Sequence, residues 1–404
     1  MNRSMLICAT LPLALALVGC TSDDGKSTGD DDETGITTMP GDGDGDQTGD
    51  GDGDPNTGDG DGEAEGDGDG DGPDCGSVSI SPTYTPPNVM LLVDASGSMV
   101  SNSWDHDLDA MTPVETRWKT LHRVVETVMD DFGPAMRAGI QRFPSASAQA
   151  AYSSAACTTA QTPEVGVALD NGAAILAAIP GPDDSTFGGT PATRGFNSII
   201  NHLKAQPADI SRYVLFITDG AANCTPGFEM PELLEAYDET LEPTVAAALA
   251  DDGITTFVVG IDIVDAVTGA PVDGSPEANP FERLNDVALA GGAPKNGGMD
   301  AEKFFNATNQ DELLTALAGI IDEITECIID LSAPPLEPPD PVQIPYVTFE
   351  VDGEEVPFVD DCANEDGWTW LEEGVIVTFC GSYCDEFKGG GLMFDGTYGC
   401  PPAG

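Results

Sequence analysis

Basic residues are scarce in this chain of 404 residues: Lys and Arg together number 14 and His numbers 3, against 71 Asp and Glu. The formal net charge at pH 7 is −57. Nucleic-acid binding needs Lys and Arg to neutralise phosphates, so this shortage excludes a DNA- or RNA-binding surface. Hydrophobic residues still make up 40% of the chain, which is enough for a packed core, so the acidity does not indicate general disorder.

The N-terminal apolar segment is short. It extends from Met5 to Val18, too few residues to span a bilayer of about 30 Å. It ends in Leu17-Val18-Gly19-Cys20, which resembles the lipobox of bacterial lipoproteins. We therefore expect residues 1–20 to be an export signal and Cys20 to be lipidated after cleavage; an ordinary cleaved signal is the alternative. In many bacterial lipoproteins an Asp after the lipidated cysteine retains the protein at the inner membrane. Here Thr21 follows Cys20, which favours the outer membrane or cell surface.

Residues 21–74 have almost nothing apolar to bury. Gly and Asp dominate, as in GDGDGD at Gly41–Asp46, and twenty acidic residues face one basic residue, Lys26. Because like charges repel, we expect a disordered, extended stalk. Alternating carboxylates suit calcium, but the apolar position and Gly-Gly steps of calcium-binding nonapeptide repeats are missing. Diffuse attraction of cations is therefore the favoured interpretation.

Strand and helix patterns alternate from residue 88 onward. The continuous apolar runs Val89–Val93 and Tyr213–Ile217 are typical of strands buried on both faces. Apolar residues spaced by three or four indicate helices over Trp118–Phe132 and Leu313–Ile328, the second with Asn309 and Glu312 as a start signal. Further strands are predicted at Ala138–Phe143, Val165–Leu169, Ile254–Ile261 and Phe304–Phe305, and further helices at Phe196–Leu203, Leu233–Ala250 and Phe281–Leu289. Residues 75–331 are therefore predicted to form a doubly wound, mostly parallel, Rossmann-like α/β domain, in which ligands bind at the carboxyl ends of the strands.

Polar residues follow the carboxyl ends of the two strands with continuous apolar runs, Val89–Val93 and Tyr213–Ile217. The first strand runs into Asp94-Ala95-Ser96-Gly97-Ser98 and the later one into Thr218-Asp219-Gly220, while Gly188-Gly189-Thr190 precedes a helix between them. Alternate side chains of an extended turn face the same way, so the first motif can direct three oxygens to one place. Carboxylates and hydroxyls from three loops are a ligand set that suits a hard divalent cation.

With these motifs in this order, the sequence resembles the von Willebrand factor type A domain and its metal-ion-dependent adhesion site. The resemblance implies that Ser96 and Ser98 bind the metal directly and that Asp94 binds through water or orients the site. It implies that Thr190 and Asp219 alternate between direct and water-mediated contact. Mg²⁺ is the expected ion, with Mn²⁺ or Ca²⁺ possible. The expected partner is a protein that offers an Asp, Glu or terminal carboxylate to complete the coordination shell.

Other readings of the same residues stay open. The Asp, Ser and Thr residues of the motifs also commonly end strands and cap helices, and the chain would then be an acidic structural or calcium-gathering envelope protein with a passive scaffold. A hydrolase is disfavoured because the imidazoles are limited to His106, His122 and His202 and no G-x-S-x-G elbow occurs. We therefore expect an adhesion or interaction module and no enzyme.

Two inserts border the predicted site. The insert after Met99 contains Trp104, which we expect to be exposed, where it either helps to select a ligand or belongs to a solvated cover. The 262–280 insert is expected to be a surface loop, and its sequence contains no recognisable functional motif.

Eight cysteines remain after Cys8 leaves with the signal and Cys20 takes lipid. Pairs of C-x-x-C are missing, which disfavours zinc, and an even number in an exported chain indicates disulfides. Cys157 follows the second predicted strand and Cys224 follows Thr218-Asp219-Gly220, so both should lie near the sheet edge that carries the predicted metal site. We therefore expect them to form a disulfide. The resemblance to type A domains, some of which have terminal disulfides, implies a Cys75–Cys327 bridge.

After a proline-rich hinge, residues 332–404 alternate polar and apolar side chains, as β-strands do, over Val347–Val351 and Val375–Phe379. We expect a small β-rich region stapled by disulfides, because a piece this small needs them. The pairs assigned there are Cys362–Cys380 and Cys384–Cys400.

Overall fold

The computed structural model describes residues 78–80, 84–325, 327–331, 346–351, 353–362, 364–373, 376–388 and 394–399. The predicted signal 1–20 with its lipidation site Cys20, the predicted stalk 21–74, and Cys75 lie outside the described residues. Within the described ranges, no helix has the length and apolar character needed to cross a membrane.

The described secondary structure alternates between strands and helices along most of the chain. The strands are β1 (Val78–Ile80), β2 (Asn88–Asp94), β3 (Ser103–Trp104), β4 (Glu115–Thr116), β5 (Arg137–Phe143), β6 (Val165–Ala168), β7 (Arg212–Thr218), β8 (Ile254–Ile261), β9 (Phe305–Ala307), β10 (Ile328–Asp330), β11 (Tyr346–Val351), β12 (Glu354–Glu355), β13 (Gly367–Glu372), β14 (Ile376–Cys380) and β15 (Phe394–Gly399). The helices are α1 (Ser98–Ser101), α2 (Arg117–Phe132), α3 (Gly172–Ala178), α4 (Ala192–Lys204), α5 (Glu232–Glu235), α6 (Leu241–Asp252), α7 (Pro280–Ala290), α8 (Gln310–Ile324) and α9 (Ser382–Lys388).

The central sheet has the strand order β6-β5-β2-β7-β8-β9 among the described strands. β2 pairs in parallel with β5 on one side and with β7 on the other, and β8 and β9 continue the parallel set. β6 alone in this sheet runs antiparallel, along β5. All seven residues of β2 are buried, as its uninterrupted apolar run predicts. The predicted α/β class with a mostly parallel sheet is confirmed.

Helices cover both faces of this sheet and divide the core into two layers. On one face, α2 and α8 pack on β2 and β8 through predicted stripe residues such as Trp118, Leu121, Leu313 and Leu317. On the other face, α4, α6 and α7 pack on the alternate side chains of the same strands. β2 and β7 are therefore buried on both faces, as their continuous hydrophobic runs predict.

Local signals explain where individual helices begin. Asn309 caps α8 by accepting a hydrogen bond from the Glu312 backbone N–H at 2.9 Å, and the Glu312 carboxylate accepts the Thr308 N–H at 2.7 Å. The predicted single helix over Leu233–Ala250 is wrong. The structure has α5 and α6 separated by 236–240, and Pro243 lies in the first turn of α6, where the missing N–H costs nothing.

A smaller β region lies at the other end of the strands from the carboxyl edge. Its described sheets are β1-β15-β11-β12 and β10-β14-β13. Both β1 and β10 come from the segment 75–331 that the sequence assigns to the α/β domain, and both flank it at its ends. Tyr84, just before β2, donates from its hydroxyl to the Ala135 carbonyl at 2.7 Å and packs edge-on against Phe387 at 5.7 Å. These contacts place the β region beside the amino ends of β2 and β5.

The disulfides agree only partly with the predicted pairs. The structure joins Cys157 with Cys224 and Cys362 with Cys380, as predicted, with Cα–Cα distances of 5.6 and 5.1 Å. Cys327, however, is joined to Cys384, with a Cα–Cα distance of 5.5 Å. The predicted pairs Cys75–Cys327 and Cys384–Cys400 are therefore wrong. The physical reason is that β10 pairs antiparallel with β14, which brings Cys327 next to the helix α9 that follows that strand.

Candidate metal site

The three predicted motifs meet at the carboxyl edge of the central sheet. β2 ends at Asp94, and Asp219 follows β7 directly. Because these strands are parallel neighbours, their carboxyl ends lie side by side. The third loop, 188–190, joins them where the Gly97 backbone N–H donates to the Gly188 carbonyl at 3.1 Å. Gly188 has φ +111°, and a Cβ there would lie 2.6 Å from the Ala156 carbonyl oxygen. Both the backbone conformation and the lack of space therefore require glycine at this position.

Three of the predicted ligand oxygens form one continuous chain of contacts. Ser96 Oγ lies 2.8 Å from Ser98 Oγ, and the Ser98 hydroxyl donates to Asp219 Oδ1 at 2.6 Å. Ser98 and Asp219, which make the second of these contacts, lie 121 residues apart in the sequence. Hydroxyl and carboxylate oxygens gathered this closely are the donor type that Mg²⁺ and other hard cations take.

Asp94 lies beneath this cluster and is fully buried. Its Oδ1 accepts the Ser96 backbone N–H at 2.8 Å, and its Oδ2 accepts the Thr218 hydroxyl at 2.7 Å. Burial, and after it the charge of Asp219, raise the pKa of the Asp94 carboxyl above its ordinary value, although the hydrogen bonds from Ser96 and Thr218 oppose the rise. With both oxygens engaged by its neighbours, Asp94 has the geometry of a residue that orients the first loop.

Thr190 is held at the same edge by its own loop partners. Its backbone N–H donates to Asn223 Oδ1 at 2.7 Å, and the Asn223 N–H donates to the Thr190 carbonyl at 3.0 Å. The Cys157–Cys224 disulfide lies next to these contacts, since Gly189 N–H donates to the Ala156 carbonyl at 3.0 Å. The bridge therefore links the 154–157 segment, which holds the Thr190 loop through this hydrogen bond, to the loop that begins with Asp219.

A cavity of about 610 Å³ lies above the cluster. Ser96, Ser98, Thr190 and Asp219 all line it, and the 262–280 loop forms part of its wall. The cavity thus lies between the predicted ligands and the 262–280 loop, to which the sequence assigned no functional role.

Among the charged residues that line this cavity, Arg117 and Asp262 were not predicted from the sequence. The Arg117 guanidinium, at the start of α2, donates from Nη1 to Asp219 Oδ2 at 3.0 Å and from Nη2 to Asp262 Oδ2 at 2.5 Å. Asp262 follows β8 directly, just as Asp219 follows β7. That repeated pattern of an Asp after a parallel strand is the signal that would have pointed to Asp262.

The expectation for Trp104 is wrong. Its side chain is 4% exposed, and its indole N–H donates to the Thr120 hydroxyl at 3.1 Å. Trp104 lies in the short strand β3, which pairs with β4 and so folds the insert back over α2. The residue belongs to the core and does not contact a ligand at the surface.

The donor set fits a hard divalent cation more closely than a transition metal. Within the part of the chain that the structure describes, no group of three or more His, Cys, Asp and Glu side chains is placed to hold a metal ion. The candidate set contains two carboxylates, Asp94 and Asp219, and obtains its remaining oxygens from hydroxyls. Oxygen-only ligands with few direct carboxylates suit Mg²⁺, which keeps several waters.

Comparisons with known proteins give likenesses of fold at low similarity. No protein-family model matches the sequence, and no curated protein matches it. Among solved structures, the pilus adhesin SpaC from Lactobacillus rhamnosus GG is 14% identical with a TM-score of 0.42, over 80% of this chain and 41% of SpaC. The PilB minor pilin from Streptococcus sanguinis is 18% identical with a TM-score of 0.38, over 60% of this chain and 63% of PilB.

A manganese-loaded TRAP protein from Plasmodium vivax is 13% identical with a TM-score of 0.34, over 61% of this chain and 78% of TRAP. The present chain spans about two fifths of the length of SpaC. At this level of similarity the function has to be argued from the residues of this chain.

Proposed function

We propose that this protein is a surface-exposed interaction module that binds a protein partner through a divalent cation held at the carboxyl edge of its central sheet. The observation that carries the proposal is the contact chain from Ser96 Oγ through Ser98 Oγ to Asp219 Oδ1, with steps of 2.8 and 2.6 Å on the floor of one cavity. The resemblance of the three motifs to the metal-ion-dependent adhesion site of type A domains supports it.

Each residue has a distinct part in the proposed site. Ser96, Ser98 and Thr190 would hold the cation with neutral oxygens, Asp219 would contribute charge, and Asp94 would keep the first loop in place. The chemistry that Mg²⁺ supplies there is an open coordination position for a carboxylate oxygen. Neutral hydroxyl ligands leave the positive charge only partly compensated, which favours an acidic group from a partner.

The position of the site also suits binding at a surface. The chain enters the described structure at β1, beside the amino ends of the sheet strands, whereas the cluster lies at their carboxyl ends. The seven residues of β2 separate the two ends by roughly 20 Å. A binding role rather than catalysis is proposed, since the described residues that line the cavity include neither His nor Cys.

Calorimetric titration of the full chain with MgCl₂ tests the metal step. We expect a saturable phase in the wild type that disappears in the Ser96→Ala/Ser98→Ala double variant. The acidic segment 21–74 attracts cations diffusely in both proteins, so the double variant supplies the matched baseline.

Binding of an acidic peptide, in Mg²⁺ and in EDTA, tests the ligand step. The control peptide has Gln and an amidated C-terminus in place of the carboxylates. A wild-type titration that matches the double variant would refute the proposal, and so would peptide binding that survives EDTA.

A further inference from the structure

One guanidinium lies between two carboxylates at the edge of the proposed site. The Arg117 side chain is 12% exposed, and its two terminal nitrogens contact different partners, Asp219 at 3.0 Å and Asp262 at 2.5 Å. Asp219 is 1% exposed at its side chain, whereas Asp262 is 39% exposed. The pair with Asp219 is therefore the desolvated one, where electrostatic interactions are strong.

Asp219 divides its two oxygens between this cation and the hydroxyl cluster. Oδ2 accepts from Arg117, and Oδ1 accepts from Ser98 Oγ. A divalent cation at the cluster and the guanidinium would thus share one carboxylate. Because both are positive, they repel each other, and this repulsion offsets part of the attraction that each has for Asp219.

We propose that Arg117 sets the divalent-cation affinity of this site and, through Asp262, links cation binding to the 262–280 loop. The inference rests on the proposed function, because it requires a cation at the hydroxyl cluster. Arg117 acts as a positioning residue: it binds no ligand itself, and it weakens the hold of Asp219 on the metal.

Asp262 has the opposite effect on the cation affinity of the site: Arg117 lowers it, and Asp262 raises it. Its carboxylate compensates part of the Arg117 charge, so its removal leaves the full guanidinium charge directed at Asp219. Asp262 also begins the loop that forms a wall of the cavity. A ligand that moves this loop and separates Asp262 from Arg117 would lower the cation affinity. By thermodynamic reciprocity, a bound cation would oppose that movement.

Magnesium titration of four full-length proteins separates this role from a purely structural one. The variants are Arg117→Met, Asp262→Asn and the control Arg123→Met, compared with the wild type. Arg123 lies in the same helix α2 and pairs with Glu115, so its replacement makes the same change in net charge.

We expect Arg117→Met to lower the Mg²⁺ dissociation constant at least tenfold and Asp262→Asn to raise it at least threefold. Arg123→Met should stay within twofold of the wild type. Urea denaturation in EDTA gives an independent readout. Without metal, Arg117→Met should unfold at a lower urea concentration than the wild type, because Asp219 then lacks its cation. Added Mg²⁺ should raise its midpoint by more than it raises that of the wild type.

The results distinguish the two proposals. Equal Mg²⁺ affinity in Arg117→Met and Arg123→Met overturns the inference and leaves the proposed function intact. A lack of specific Mg²⁺ binding in every protein overturns both. If Arg117→Met does not fold, Asp262→Asn decides the question, since its partly exposed side chain tolerates replacement, and an unchanged or lower dissociation constant in that variant contradicts the inference.

Discussion

Removal of the Cys157–Cys224 bridge is expected to lower both the stability and the cation affinity of the protein. The two cysteines are 67 residues apart in the sequence. In the chain-entropy treatment, closing a loop of that length restricts the unfolded state by about 4 kcal/mol. Both side chains are almost completely buried, so a Cys157→Ala/Cys224→Ala double variant introduces no polar group into the core.

The loss in cation affinity follows from where the bridge lies. It connects the segment beside Gly189 with the loop that contains Asn223, whose amide oxygen holds the Thr190 backbone at 2.7 Å. Without the bridge, the 154–157 segment, which hydrogen-bonds to Gly189 beside Thr190, is no longer covalently linked to the Asp219 loop. Holding the Thr190 and Asp219 oxygens together would then require ordering that the disulfide now supplies in advance.

The assay combines urea denaturation with magnesium titration. A Cys362→Ala/Cys380→Ala variant is the control, because its bridge closes a loop of 18 residues in the small β region, worth about 3 kcal/mol by the same treatment. Both variants should be less stable than the wild type, but weaker Mg²⁺ binding is expected only for the first. The reasoning is refuted if the first variant loses less than about 1 kcal/mol of unfolding free energy, or if both variants bind Mg²⁺ equally.

Further expectations concern one ligand and two glycines. Thr190→Val should weaken Mg²⁺ binding at least fivefold, because it removes a proposed hydroxyl ligand, whereas replacement of the buried Thr193 in α4 by Val should leave the calorimetric affinity unchanged. Equal effects would exclude Thr190 as a ligand. Gly195→Ala should lower the free energy of unfolding by about 1–3 kcal/mol, because its Cβ would lie 2.8 Å from Leu92 Cδ1. In Gly319→Ala, within α8, the new Cβ meets no atom within 4 Å, so the free energy of unfolding should rise by about 0.5–1 kcal/mol. The packing argument would be contradicted if the two glycine variants shifted the urea midpoint in the same direction.

The sequence by itself determined the elements of this protein whose signals are local. The continuous apolar run of β2 and the three-to-four spacing in α2 and α8 reflect which side chains must be buried, and burial follows the period of each element. Ser96, Ser98 and Asp219 were also identifiable as candidate ligands, because each closely follows a buried strand and the carboxyl ends of parallel strands lie at one edge of the sheet.

Only the tertiary structure decided which distant groups meet. The pairing of Cys327 with Cys384 depends on the antiparallel alignment of β10 with β14, which no spacing of cysteines specifies. Likewise, a single Arg117 in a chain with 71 acidic residues has many conceivable partners. Its placement between Asp219 and Asp262 follows from the packing of α2 on one face of the sheet, which puts the first residue of that helix at the carboxyl edge. Side-chain partners across long sequence separations are selected by three-dimensional packing and not by local pattern.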